Sequence, residues 1–159
     1  MMRYLFASIA TLAWGLWFGG VMGLFLWVVR LSQTFAPPRR ALFSEAASAS
    51  FFVFERYQLI VGAVALVATV AWRIAAPGVS RTILFCVLAL AATASISQSH
   101  LITPKIDALR SHLDEPESVA RFQKLHGLSM IVYTTQAGLL LVAGALLPLA
   151  MRAEKQRES

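Results

Sequence analysis

The sequence predicts an all-α integral membrane protein, a four-transmembrane-helix antiparallel bundle whose third and fourth helices extend beyond the membrane. Three observations predict it. Of the 159 residues, 58% are hydrophobic and only 14% are charged, against roughly 45–50% apolar residues in an ordinary soluble domain. Four apolar runs, residues 4–29, 57–74, 82–102 and 127–151, are each long enough for a helix to cross a hydrocarbon core of roughly 30 Å. Between the runs lie five of the six prolines and most of the charges. A helix satisfies its backbone polar groups within itself, which a lone strand in lipid cannot do. The chain therefore reads as one domain, 1–159, with interfacial or stalk segments at 31–56 and 103–126 and a polar tail at 152–159.

The first span begins MMRYLFASIATLA, a basic residue followed by an apolar stretch as in a signal peptide. The apolar stretch continues to Val29, too far for a cleaved leader, so the span is expected to be retained. Gly15, Gly19 and Gly23 recur every four residues and share one face, the small-xxx-small pattern that lets another helix approach closely. That face is the expected helix-packing seam, within the chain or toward a homodimer or a partner membrane protein. Trp27 beside Arg30 suits the membrane interface.

Pro37 and Pro38 end the first helix, and Arg39 and Arg40 suit headgroup phosphates. ALFSEAASAS then leads into the second span as an interfacial helical segment. Glu55 and Arg56 follow FFVF directly; an acid at the edge of an apolar run is solvated, paired, or turned into the helix bundle. The turn AAPGVSR has the Pro-Gly pair of a tight reversal, which makes the second and third helices antiparallel neighbours. Cys86, the single cysteine, lies within the third span, excludes an intramolecular disulfide, and is expected to serve as a small buried apolar residue.

Toward the end of the third span Thr93, Ser97 and His100 are spaced four and three apart and so share a face. Ile102, Ile106, Leu109 and Leu113 keep a helical spacing beyond it, predicting an amphipathic extension kinked at Pro104. Asp114 is the expected N-cap of the last helix, with Glu117 three residues on at the capping-box position. In that helix His126, Ser129, Tyr133 and Gln136 form a polar stripe at steps of three, four and three. The third and fourth helices are thus expected to form a hairpin with its polar stripes at one level.

The net charge of +6 is distributed over span ends rather than gathered in an aromatic-interleaved patch, so the expected partner is the lipid bilayer and its anionic headgroups, not nucleic acid. Arg3, Arg73, Arg81, Arg152, Lys155 and Arg157 flank the side of the termini. Arg30, Arg39, Arg40, Arg56, Lys105, Arg110, Arg121 and Lys124 lie on the other side but are spread over long connections. The rule that short basic flanks stay inside then leaves a preference for cytoplasmic termini in a multi-pass protein, of the inner membrane in a bacterium.

No phosphate loop, GxSxG, HExxH or CxxC is present, so the chain is read as a non-enzymatic protein with no cofactor, no metal and no catalytic residue. Its expected role is small-solute binding and transport, or that of a membrane scaffold. The candidate polar site is Glu55, Gln98, His100, Lys105, His126 and Ser129, with Glu55 pairing with a base or histidine and Ser129 closing hydrogen bonds. The alternative is a haem- or metal-binding membrane protein in which His100 and His126, on neighbouring helices, ligate through imidazole nitrogen.

LAWGLWFGGVMG in the first helix, FERYQLIVGA in the second, PKIDALR after the third and FQKLHGLSMIVY entering the fourth together resemble the transmembrane-protein-205-like family, also called domain of unknown function 4149. The resemblance covers about residues 10–148. Its most specific parts are Pro104 with Lys105 and the group His126, Gly127 and Ser129. It implies a four-span membrane domain without an established activity, and a eukaryotic member's association with platinum-drug resistance adds weight to an efflux reading. Many relatives have asparagine where this chain has Tyr133. Soft-metal handling does not carry over, because the first helix has no histidine and the chain has only Cys86.

Overall fold

The computed structural model of the chain describes residues 2–34, 40–110 and 112–155, of which 40–44 and 153–155 are described by their backbone alone. Its elements are α1 (Met2–Thr34), α2 (Arg40–Ala75), α3 (Val79–Ser97), a π-helical turn (Gln98–Ile102), α4 (Thr103–Arg110) and α5 (Pro116–Lys155). The described residues are helical apart from short turns, with no strand among them. Four stretches, Met2–Thr34, Glu45–Ala75, Val79–Arg110 and Pro116–Arg152, are long and apolar enough to cross a membrane. Pro37, Pro38 and Arg39 lie outside the described residues, as does the side chain of Arg40.

The helices pack in a closed order, α1 on α2, α2 on α3, α3 on α5 and α5 back on α1, with α4 also against α5. Buried positions on α3 are Arg81, Leu84, Leu88, Ala91 and Ser95, then Gln98 and Ile102. On α5 they are Ser129, Tyr133, Gln136, Leu140, Ala143, Leu147 and Ala150. Both series alternate steps of three and four, the spacing at which two helices interdigitate along a shallow crossing. In an apolar solvent such contacts, rather than water exclusion, hold helices together.

Among the described residues Gly15, Gly19 and Gly23 form no packing seam within the chain, which leaves only a second copy or a partner membrane protein to meet that face. Gly15, Gly19 and Gly23 have no heavy atom within 4 Å of where a Cβ would stand, and all three lie on the exposed face of α1. The inward face of α1 is instead Ala7, Ala10, Ala13, Trp17 and Val21. The glycines that permit close approach are others: a Cβ at Gly62 would lie 3.0 Å from the Trp17 ring, one at Gly20 would lie 2.8 Å from the Tyr57 ring, and Gly144 faces the Trp14 ring. Indole and phenol rings fill these gaps, so helix packing here is ring on glycine rather than glycine on glycine. Trp14 Nε1 donates to the Leu140 carbonyl at 2.6 Å and Tyr57 Oη to the Leu16 carbonyl at 2.9 Å, which satisfies both polar ring atoms.

Three further expectations change. Cys86 is exposed, because its position falls two residues beyond the buried Leu84 and two before the buried Leu88. The last helix begins at Pro116, which puts Glu115 rather than Asp114 at the N-cap. Proline is favoured at the first helical position, where its missing N–H costs nothing, and the Glu115 carboxylate accepts a bond from the Ser118 hydroxyl at 3.2 Å. At the C-terminus the helix continues into the polar tail as far as Lys155.

Candidate functional site

The break in regular helix falls at the π turn, ahead of Pro104 rather than at it. Proline at 104 has no N–H to give and its ring crowds the carbonyl four residues back; a turn with one extra residue relieves that conflict. The turn also shifts the register. After Ile102 the next buried position is Ile106, while Lys105 is exposed. Gln98 is thereby kept inward and Thr103 is brought beside it.

These two residues form the centre of a polar cluster. Gln98 Nε2 donates to Ser129 Oγ at 2.9 Å and to Thr103 Oγ1 at 3.1 Å. Thr103 Oγ1 in turn donates to Glu55 Oε1 at 2.5 Å, and Tyr133 Oη donates to the same oxygen at 3.3 Å. Glu55, only 5% exposed, is therefore held by two hydroxyls and by no arginine, lysine or histidine among the described residues. One turn further along α2 and α5, Gln136 Nε2 donates to Gln58 Oε1 at 2.9 Å, and both glutamines are fully buried. Gln98 Oε1, Gln58 Nε2 and Gln136 Oε1 have no hydrogen-bond partner, a costly arrangement in a dry interior.

The cluster borders a cavity of about 440 Å³ whose lining includes Glu55, Gln98, Thr103, Ser129 and Tyr133. The other walls are largely aromatic and aliphatic, with Phe25, Phe51, Phe52 and Phe122 among them. Tyr133 is the hub of the aromatic side: its ring lies 5.7 Å from Phe51, 6.3 Å from Phe25 and 6.3 Å from Phe54. Asp107 and Arg110 also line the cavity and pair with each other at 3.0 Å.

Of the six residues expected at a polar site, Glu55, Gln98, Ser129 and His126 line this cavity. Glu55 pairs with neither a base nor a histidine. His126 is on the exposed side of α5, stacked on Phe122 with centroids 6.0 Å apart. His100 and Lys105 are exposed and do not line the cavity; His100 Nδ1 lies 3.2 Å from the Ile96 carbonyl of its own helix. The two histidines thus do not face each other across the cavity. No group of three or more His, Cys, Asp or Glu suited to a metal occurs among the described residues. The face of Thr93 and His100 points outward, so the polar side of α3 that meets α5 is Ser95 and Gln98.

Thr103, Tyr133 and the Gln58–Gln136 pair were not in the expected set. For Tyr133 and the two glutamines the signal was present as spacing: Gln58 follows Glu55 by three residues and Gln136 follows Tyr133 by three, which puts each pair on one helix face. Thr103 gave no such sign, because its place depends on the π turn.

Comparison with known proteins gives one family match. Residues 73–139 are similar to the RNA dependent RNA polymerase, helical domain. This stretch is less than half of the chain; it runs from the end of α2 into α5 and takes in Gln98, Thr103, Ser129 and Tyr133 but not Glu55. The match overturns two expectations from the sequence. The family found is not the transmembrane-protein-205-like family, so that resemblance and what it implied are withdrawn. The family found is also one of enzymes, which contradicts the reading of the chain as non-enzymatic. No curated protein and no solved structure matches the chain.

Proposed function

We propose that the chain is a multi-pass membrane protein, its four long helices alternating in direction, that binds a small amphipathic solute in the cavity beside Glu55. The observation that carries this reading is a cavity of about 440 Å³ with aromatic walls that ends on a buried carboxylate. Ligand sites are typically concave and mostly apolar, with a few converging polar groups that fix orientation. An ionisable side chain inside a membrane domain marks a functional site by default, since burying it is otherwise expensive. The three-residue connection Ala76–Gly78 favours opposite directions for α2 and α3. Hydrophobic side chains such as Leu12, Leu26, Ile60, Val67 and Leu141 lie exposed on the outer surface, as lipid contact requires.

The test uses a neutral apolar fluorophore, N-phenyl-1-naphthylamine, titrated onto protein in nanodiscs of zwitterionic lipid. Saturable binding is expected, and Ala47→Trp, which adds an indole from the cavity wall, should abolish it while the helical signal in circular dichroism is kept. Binding unaffected by Ala47→Trp would remove the cavity from consideration. Retention of the chain in the membrane pellet after an alkaline carbonate wash checks insertion independently.

A further inference from the structure

We infer that the ligand of this cavity is a protonated organic amine with an apolar tail, its ammonium group held by Glu55 and Gln98. The inference rests on the solute-binding reading and specifies its chemistry.

Hydrogen-bond direction is the first support. Both hydrogens of the Gln98 amide are spent, one on Ser129 and one on Thr103, and the hydroxyl hydrogens of Thr103 and Tyr133 are spent on Glu55. What remains is acceptor capacity: Gln98 Oε1, 2% exposed as a residue, has no donor, and the two hydroxyl bonds to Glu55 both fall on Oε1. A carboxylate and an amide oxygen accept only. The hydroxyl hydrogens that these bonds leave unassigned are those of Ser129 and of Ser99, whose buried Oγ has no partner. Against them stand the open oxygens of Gln98 and Glu55, a demand that a ligand carrying several donors meets best, and an ammonium brings up to three.

Charge is the second. Of the other ionisable groups lining the cavity, Asp107 and Arg110 pair with each other at 3.0 Å and His126 stacks on Phe122, so the Glu55 carboxyl has no cation bonded to it among the described residues. An unpaired buried charge is costly, and a counter-ion bound next to it recovers much of that cost. The third is the ring cluster. Phe25 and Phe51 line the cavity with Tyr133, their ring centroids 6.3 and 5.7 Å from the Tyr133 ring, and ring faces attract ammonium groups. The same rings and the neighbouring aliphatic wall accept the tail. A carboxylate ligand would meet Glu55 with like charge, and an alcohol would leave that charge unpaired.

The experiment compares three probes of one tail length, octylamine, octanol and octanoate, each displacing the fluorophore from wild-type protein in zwitterionic nanodiscs. Octylamine is expected to displace it at the lowest concentration, and Glu55→Gln should weaken octylamine by roughly thirtyfold or more while leaving octanol within about threefold, as expected when one partner of a buried charge pair is removed. Gln98→Leu should weaken octylamine in the same direction. Because the probe series on wild-type protein needs no variant, a Glu55→Gln protein that failed to fold would not remove the test. Octanol or octanoate binding as tightly as octylamine would overturn the ammonium assignment and leave the solute-binding reading standing. Displacement by none of the three would overturn both.

Discussion

One basic and one acidic side chain are buried among the described residues, Arg81 and Glu55, and they are accommodated in different ways. Arg81, 2% exposed, follows the α2–α3 turn. Its guanidinium donates to the Ala76 carbonyl at 2.6 Å, where α2 ends, and to the Ala150 carbonyl near the end of α5 at 3.3 Å. It also lies over the Trp72 ring at 5.2 Å. Backbone carbonyls at helix C-termini lack intrahelical donors and carry partial negative charge, so this cation closes the end of α2 and ties it to a backbone carbonyl of the last turns of α5. Glu55 has no backbone partner among the described residues. It is held by side-chain hydroxyls from other helices, beside a cavity that Arg81 does not line. On the proposed function, a buried ionisable group satisfied by backbone carbonyls belongs to the fold, and one held by a few side chains next to open volume is offered to a ligand.

That contrast is broken or sharpened by substitution. The largest effect on stability is expected at Arg81: Arg81→Ala removes charged hydrogen bonds to the end of α2 and to α5 and should cost about 3 kcal/mol, read as a lower apparent Tm of the purified protein in neutral detergent. Gly62→Ala comes next, at about 1–2 kcal/mol, because the new methyl meets the buried Trp17 ring 3.0 Å away. Glu55→Gln should change the same Tm little, within about 1 kcal/mol in either direction, since removing an unpaired buried charge offsets the hydrogen bonds it weakens. Smallest are Gly19→Ala, where nothing lies within 4 Å, and His100→Ala on the exposed face; both should stay within about 0.5 kcal/mol. A Glu55→Gln protein that melts far below wild type while Arg81→Ala does not would reverse the comparison.

The helical class and the four long apolar runs were legible because length and hydropathy alone determine them. The positions of Glu55, Gln98 and Ser129 at one site were legible too, as polar residues recurring on helix faces in an otherwise apolar chain. What was not legible depended on register between helices. The π turn rotates Lys105 outward and Thr103 inward, and no propensity in QSHLITP announces one extra residue. His100 looked equivalent to Gln98 by type, yet two positions along a helix separate an inward from an outward side chain. Within the chain the glycines misled for a related reason: a GxxxG spacing shows that a helix can approach, and only the positions of Trp14, Trp17 and Tyr57 show which glycines are approached from inside the fold. The family resemblance drawn from short motifs did not hold, since such motifs in apolar helices are built from few residue types and recur by composition.

The central claim, that the Glu55 end of the bundle is an accessible binding site, is tested most directly by thiol labelling. In a Cys86→Ser background, which removes the single native thiol, Ser129→Cys places a thiol at the cavity wall and Gln136→Cys places one at the sealed glutamine pair. A small cationic methanethiosulfonate should label position 129, octylamine should slow that labelling, and position 136 should remain unlabelled. Absence of labelling at position 129, or labelling there that octylamine does not slow, would contradict the account.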